Sequence, residues 1–441
     1  MQETIPLNSI HTEDEAPINK GHFKMIITAG MGFFTDAYDL FIIGVVTAIL
    51  SPLWHLSPYQ IGLLNGASLL SAAFGAILFG ALSDRFGRKK LYGSEIIIMV
   101  IGAIASACAG NFISLLIART ILGFGIGGDY PTSAVIAAEG ANRKNRGFIV
   151  LLVFAMQALG LIVGPLIAAL LLSLHIPHDM LWRIMLGLGA IFSFYVYFLR
   201  RKLKESKRFL ALENAPIEVG CAASYYAGYR SKKNAHARRK RTLGKHYKKL
   251  IGTAGSWFCL DVALYGNGVS SMLILNTLAP HASILKHTLT AMLVFIAFAA
   301  PGYALSACLV DKIGRKRLQT IGFIMMTLCY LSIACLSNIA AHPAIFTLLF
   351  GLSFLFINFG PNATTFLIPA EIFPTSIRAS AHGFSAAMGK LGAFIGALSL
   401  PILSASLGLP FMFIIVALFC ILGLACTFLV PEMKQQALKQ T

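Results

Sequence analysis

Twelve stretches of this sequence are apolar for long enough to cross a bilayer, and they leave little chain for anything else. They run over about 24–49, 60–82, 91–110, 112–138, 147–171, 182–199, 250–278, 288–310, 318–338, 343–370, 381–405 and 409–430. Crossing the roughly 30 Å hydrocarbon core takes about 20 helical residues, and a helix closes its own backbone hydrogen bonds where lipid offers none. Of the 441 residues, 57% are hydrophobic and 12% charged. A soluble domain would carry about 25% charged residues. The sequence therefore predicts an all-α, polytopic membrane protein.

The formal charge of +18 is a matter of where the charges lie. Sixteen of the 36 Lys and Arg fall in one segment, Arg200 to Lys249, between the sixth and seventh apolar stretches. The other clusters, Arg85–Lys90, Arg143–Arg146, Lys312–Arg317 and Arg378, fall on the same side of the alternating spans. The opposite loops hold only Arg183 and Lys286, so the basic side is expected to be cytoplasmic, with both termini there. Such a block could meet nucleic acid, but its place between spans favours anionic lipid headgroups and no nucleic acid. The chain divides into a cytoplasmic tail 1–23, a six-helix bundle 24–199, a basic linker loop 200–249, a second six-helix bundle 250–430 and a tail 431–441.

The halves repeat. SDRFGRKK (Ser83–Lys90) returns 227 residues on as VDKIGRKR (Val310–Arg317). Glu139 and Arg146 return 232 residues on as Glu371 and Arg378, and Gly30 and Asp36 return 225 on as Gly255 and Asp261. Three pairings at nearly one offset imply two pseudo-symmetric bundles facing each other across a cavity. Acidic and basic residues at these helix ends (Asp84, Arg88, Glu139, Arg146, Asp311, Arg315, Glu371, Arg378) can pair and lock one side of that cavity, a gating role. The loops, with Arg119 to Gly125, resemble signatures of the major facilitator superfamily; the second copy departs in having Ala307 where the first has Gly80.

Ionisable residues inside the spans are few, and each needs a reason to be there: Asp36, Asp39, Glu95, Arg119, Asp129, Asp261 and Lys390. Asp36 and Asp39, three apart, share one helical face, and a desolvated carboxylate there can take up and release a proton. Glu95 lies near its helix end and could reach the interface instead. Arg119 reads first as a packing element, paired with a carboxylate or with backbone carbonyls. Trp257, Asp261 and Tyr265 recur every four residues and line one face, a stripe that reads as cavity wall because its middle member is an acid. Gln157 is a lone amide in an apolar run; Asn358, and less so Asn362, could instead be interhelical glue. Asn362 stands at the repeat position of Tyr130, so the two are expected to face each other. Asp129-Tyr130-Pro131 and Gly360-Pro361 interrupt helical hydrogen bonding, which is tolerated beside a cavity.

Other chemistry is missing. The sequence has no GxxxxGK[ST], HExxH or GxSxG, so no ATPase, metalloprotease or hydrolase site is expected, and neither is a cofactor. The eight cysteines show no metal-ligand spacing and read as small core residues. The polar, acidic first 24 residues are not a cleavable signal, and the compact loops point to a bacterial inner membrane.

GMGFFTDAYDLFIIG, GIGGDYPTSAVIAAE, GTAGSWFCLDVALYG and NFGPNATTFLIPAEIFPTSIRASAHGFSAAMGK resemble helices 1, 4, 7 and 10–11 of the phosphate:proton symporters of that superfamily. The likeness covers nearly the whole chain. It implies phosphate binding by Tyr130, Gln157, Trp257, Asp261, Tyr265, Asn362 and Lys390, and proton movement through Asp36, Asp39, Glu95 and Asp129. Leu264, where an aromatic residue is expected, and Gly266-Asn267-Gly268 depart from the pattern. The implied activity is import of dihydrogen phosphate with protons by alternating access, by a monomer. The alternatives are a proton-coupled carrier of an organic acid, sugar or organic cation, or a sensor that does not transport. Lys390 has an alternative of its own, as a partner for Asp261 or Asp36 without ligand contact.

Overall fold

The computed structural model describes residues 15, 17–174, 176–201, 205–206, 208, 244–336, 341–436 and 438. Most of the N-terminal tail and of the basic linker, with Cys221 and the proposed lipid contacts, lies outside the described residues. The described residues contain no strand. Among the described residues, ten helices are long and apolar enough to cross a membrane. The longest, Arg378–Thr427, has 50 residues and turns at Gly408 (φ 81°, ψ 165°), so it makes two crossings. With the helix that carries Trp257, this gives the twelve spans expected from the sequence.

In chain order they are α1 (Lys20–Trp54), α2 (Pro58–Phe86), α3 (Arg88–Ala107), α4 (Phe112–Gly140), α5 (Arg146–Ser173) and α6 (His178–Arg200). The second half begins with α7 (Tyr247–Val269, prolonged by Ser271–Leu278). It continues with α8 (Ile284–Ile313), α9 (Arg315–Ala334) and α10 (Pro343–Ile372). The two arms of the longest helix, 378–407 and 409–427, are α11 and α12. Arg200, read from the sequence as the start of the basic loop, is the last residue of α6 and is buried.

The breaks have local causes. Pro301 lacks an N–H and crowds the preceding turn, and α8 relaxes there into a π-helical stretch, Phe295–Ala299. Gly360 (φ −115°, ψ −97°) and Pro361 part α10 into two segments beside the centre of the molecule.

Two-fold pseudosymmetry reaches individual dihedrals. Gly87 and Gly314 open the repeated Gly-Arg-Lys turns at φ 98°, ψ 158° and φ 107°, ψ 154°, a region closed to residues with a Cβ. Glu205 accepts hydrogen bonds from the Arg88 and Lys89 amides (3.2 and 3.0 Å), and Glu432 does the same for Arg315 and Lys316 (3.0 and 3.0 Å). Both glutamates obey the 227-residue offset.

Close helix crossings rest on small residues, because association in lipid depends on packing rather than on a hydrophobic drive. A Cβ at Gly123 or Gly127 of α4 would collide with the Ser68 or Ala72 backbone of α2. Between the halves, Gly80 of α2 lies against Ala379 and Gly383 of α11, and Gly147 of α5 against Val310 and Asp311 of α8. Phe74, Ile117, Leu170, Ile191 and Leu418 point outward, where lipid would cover them. The seven described cysteines are free, with no disulfide among them.

Candidate functional site

α4, α7 and α11 converge on one cation. Lys390 Nζ donates to the hydroxyls of Tyr130 (2.9 Å) and Tyr265 (2.8 Å), which are 3.3 Å apart. It also lies 4.1 and 4.4 Å from the centres of the two rings. Asp261 Oδ2 is 3.9 Å from the ammonium and accepts no hydrogen bond from the described residues. A buried ammonium is costly without compensation; here one carboxylate, two phenol oxygens and two aromatic faces supply it. Trp257, one turn before Asp261, brings its ring to 6.2 Å from Tyr130. Gln157 Nε2 reaches the Tyr130 hydroxyl at 3.4 Å.

Asn362 does not meet Tyr130 directly. Its amide nitrogen donates to Tyr303 Oη (2.7 Å), and Tyr303 donates to Gln157 Oε1 (2.5 Å). The expected pairing of repeat positions is therefore indirect, because Gln157 and Tyr303, on α5 and α8, occupy the space between. All seven residues implicated in substrate binding lie in one buried cluster.

The four acids implicated in proton movement form two environments. Arg200 bridges Glu95 (2.9 Å) and Asp129 (2.7 Å), and all three are buried. Asp129 also accepts from Ser133 Oγ (2.5 Å), which is in contact with Tyr92 Oη (2.9 Å), and the Arg200 guanidinium stacks 4.1 Å above the Tyr92 ring. Gly32 leaves room for this pair: a Cβ there would strike both Arg200 and Asp129. Glu95 takes the Gly93 amide with both oxygens (2.9 and 3.0 Å), so it points inward rather than to the interface.

Asp36 and Asp39 are fully buried, and their four carboxylate oxygens have no hydrogen-bond partner among the described residues. Asp36, one turn beyond Gly32, is in electrostatic reach of Asp129 and Arg200 in the acid cluster and of Lys390 in the central site. Asp39 faces Gly189 of α6, while Arg119 donates to the Asp39 backbone carbonyl (2.7 Å). Three residues on a helix are about 60° apart around the axis, which is why the two acids look to different neighbours.

On the basic face, charges join the halves. Asp84 accepts from the Ala379 and Ser380 amides of α11 (3.2 and 2.8 Å), and its mate Asp311 accepts from the Phe148 amide of α5 (2.8 Å). Glu139 takes Arg88 (3.2 Å) from its own half and Arg378 (2.8 Å) from the other. Arg315 pairs with Glu371 through two bonds of 2.9 Å and with Asp311 at 2.9 Å. Arg146 donates to the Gln436 carbonyl (2.9 Å) in the C-terminal tail.

Between this layer and the site sits Phe366, one turn beyond Asn362, stacked on Phe154 (4.4 Å) and edge-on to Phe33 (5.0 Å) and His382 (5.3 Å). On the opposite side, Phe41 lies 5.4 Å from Tyr265 and 6.2 Å from Phe295. There a Cβ on Gly44 would come within 2.5 Å of the Val269 carbonyl. The site is closed from both sides. Among the described residues no group of three or more His, Cys, Asp or Glu could hold a metal ion.

A family model described as sugar (and other) transporter matches residues 24–441. Inorganic phosphate transporter 1-6 of Oryza sativa subsp. japonica is 34% identical, over 98% of this chain and 95% of its own. Low affinity inorganic phosphate transporter 4 of Medicago truncatula is also 34% identical, over 98% and 94%. The chain belongs to the phosphate-transporter family of the major facilitator superfamily. It is a multi-pass integral membrane protein. Among solved structures, the proton:xylose symporter XylE of E. coli shares the fold, with a TM-score of 0.78 at 21% identity over 95% of this chain and 98% of that one.

Four members of these networks are missing from the reading of the sequence, two of them out of its reach. Arg200 adjoins a run of basic residues and looks like part of the loop. Tyr303 is a single aromatic in an apolar span, a common core residue. Glu205 and Glu432 could have been found, since they obey the same offset as the Gly-Arg-Lys turns.

Proposed function

We propose that this protein imports inorganic phosphate, as dihydrogen phosphate, together with protons by alternating access of the central site to the two faces. The carrying observation is Asp261 Oδ2: a buried carboxylate oxygen without a donor, 3.9 Å from a buried ammonium. An acid in an anion site requires a ligand that brings its own hydrogen. Dihydrogen phosphate does so, offering hydroxyls to Asp261 and bare oxygens to Lys390, Tyr130, Tyr265, Trp257 and Gln157. Sulfate at neutral pH has no hydroxyl and would meet repulsion. The names of the relatives support the same substrate.

Protonation of Asp129 and of the Asp36/Asp39 pair favours passage of the loaded site. With Glu95 they form the path on which a proton leaves towards the basic face, where its loss weakens phosphate binding. Arg200 is the cation that the carboxylates of this path share. The eight charged residues at the helix ends act as the gate of that face.

The orientation proposed is basic face and both termini in the cytoplasm, with limits 24–199 and 250–430 for the two bundles and anionic lipid at the linker. A monomer suffices, since the whole site lies within one chain. The membrane proposed is a bacterial inner membrane, on the compact loops alone; the relatives compared come from plants.

Binding of labelled phosphate to the purified protein tests the site chemistry. Arsenate, which keeps its hydroxyls, is expected to displace it and sulfate is not. Asp261→Asn, which replaces one acceptor oxygen by a donor, is expected to abolish that discrimination. Equal displacement by sulfate in the unaltered protein would refute the proposal.

A further inference from the structure

We infer that Tyr303, backed by Asn358, is a positioning residue that fixes the hydrogen-bond polarity of the anion site, so that Gln157 offers it N–H groups and not its carbonyl oxygen. The inference rests on the phosphate reading of that site.

The chain of contacts starts at a group with only one possible role. The Phe354 backbone carbonyl accepts and cannot donate, and Asn358 Nδ2 lies 2.7 Å from it. The Asn358 oxygen must then face the other way, towards Asn362, whose nitrogen donates to it at 2.7 Å. The same nitrogen gives its second hydrogen to Tyr303 Oη (2.7 Å). Tyr303 has now accepted, and its own proton goes to Gln157 Oε1 at 2.5 Å. Reversing Gln157 alone would bury the Tyr303 hydrogen without a partner, and reversing Asn362 would set its oxygen against that of Asn358; either leaves a buried polar group unsatisfied, at a cost of about 1–3 kcal/mol.

With its oxygen held by Tyr303, Gln157 turns Nε2 towards Tyr130 and the centre. Tyr130 then accepts from both Gln157 and Lys390, which fills its two lone pairs and frees its proton to donate. One backbone carbonyl on α10 thereby sets the direction of donors that end around Lys390. Every member is buried, so no water competes for these bonds.

An anion site gains from this directly. A free amide would flip, presenting its oxygen to phosphate about as readily as its nitrogen. The relay removes that choice before the ligand arrives.

The test is phosphate uptake by the full-length protein in proteoliposomes, with Tyr303→Phe, Asn358→Leu, Gln157→Ala and the double variant Tyr303→Phe/Gln157→Ala. Loss of an oriented bond to an anion predicts that Tyr303→Phe raises the phosphate KM roughly ten- to a hundredfold, with Vmax largely kept. In the Gln157→Ala background the same substitution should add nothing, because its effect runs through the amide. Asn358→Leu cuts the relay at its start and should shift KM in the same direction, which keeps the test decisive if Tyr303→Phe fails to fold. A lowered Vmax with unchanged KM for both, or KM increments that multiply in the double variant, overturns the inference and leaves phosphate transport standing. An unaltered protein that takes up no phosphate overturns both.

Discussion

Replacing Asp84 by alanine should open the basic face. Asp84 is buried at the end of α2, and its carboxylate accepts from two amides in the first turn of α11, Ala379 at 3.2 Å and Ser380 at 2.8 Å. These bonds cross from one half of the molecule to the other, so they exist only while that face is closed. A hydrogen bond to a charged group contributes about 1.5–3 kcal/mol, giving ~3–6 kcal/mol for the pair. Water takes over the freed amides once the halves part, which favours the lower end, about 3 kcal/mol. A difference of that size changes an equilibrium between closed and open forms by about a hundredfold. The mate of Asp84 provides an internal control. Asp311 takes a single amide across the interface, Phe148 at 2.8 Å, and its side chain is 15% exposed, so Asp311→Ala should act less. Spin labels at Lys90 and Arg317, exposed positions at the basic ends of opposite halves, report the separation by pulsed electron resonance once native cysteines are replaced. The unaltered protein should give mainly a short distance, Asp84→Ala a large longer component and Asp311→Ala a smaller one. An unchanged distribution in Asp84→Ala, or a larger response in Asp311→Ala, would rule out Asp84 as the stronger lock on that face.

Three further outcomes follow from the packing and the charges. Arg200→Met leaves Glu95 and Asp129 buried without their cation; unfolding in detergent should move to lower temperature, by the equivalent of about 3–5 kcal/mol. Arg200→Lys should recover only part of this, because an ammonium cannot fork between two carboxylates as a guanidinium does. Lys390→Met removes the cation from Tyr130, Tyr265 and Asp261, and should lower the affinity for labelled phosphate by more than about a hundredfold while the protein stays monodisperse. Gly127→Val drives a side chain into the Ala72 backbone and should destabilise the α2–α4 contact by about 1–3 kcal/mol or more, whereas Gly110→Ala, with no atom within 4 Å of its added Cβ, should leave the melting temperature unchanged.

The features legible in the sequence are those encoded by short-range chemistry or by repetition. Twelve apolar runs, the basic side and the 227-residue offset can all be read without coordinates, and the Gly87 and Gly314 turns follow the offset down to their dihedrals. Asp261 and Lys390 stand out because a charge in a span demands an explanation, and the structure places them side by side. What stays hidden depends on which neutral or terminal residue lies opposite. Arg200 is written as one more cation beside a basic run; only the fold turns it back between α3 and α4. Tyr303 carries no charge and breaks no pattern, yet it takes the place across from Gln157 that repeat symmetry assigns to a direct meeting of Tyr130 and Asn362. Symmetry predicts which residues correspond, while partner choice is set by the side chains that fill the space between them.

Phosphate uptake under an imposed proton gradient shows whether protons drive import. Purified protein in sealed proteoliposomes, with labelled phosphate outside, is compared at equal pH and with an acidic exterior. The inward proton gradient should accelerate uptake and drive accumulation above the external concentration, a protonophore should abolish the accumulation, and Asp129→Asn should no longer respond to the gradient. Uptake that ignores the gradient in the unaltered protein, or gradient-driven accumulation that survives in Asp129→Asn, would contradict proton-driven import through Asp129.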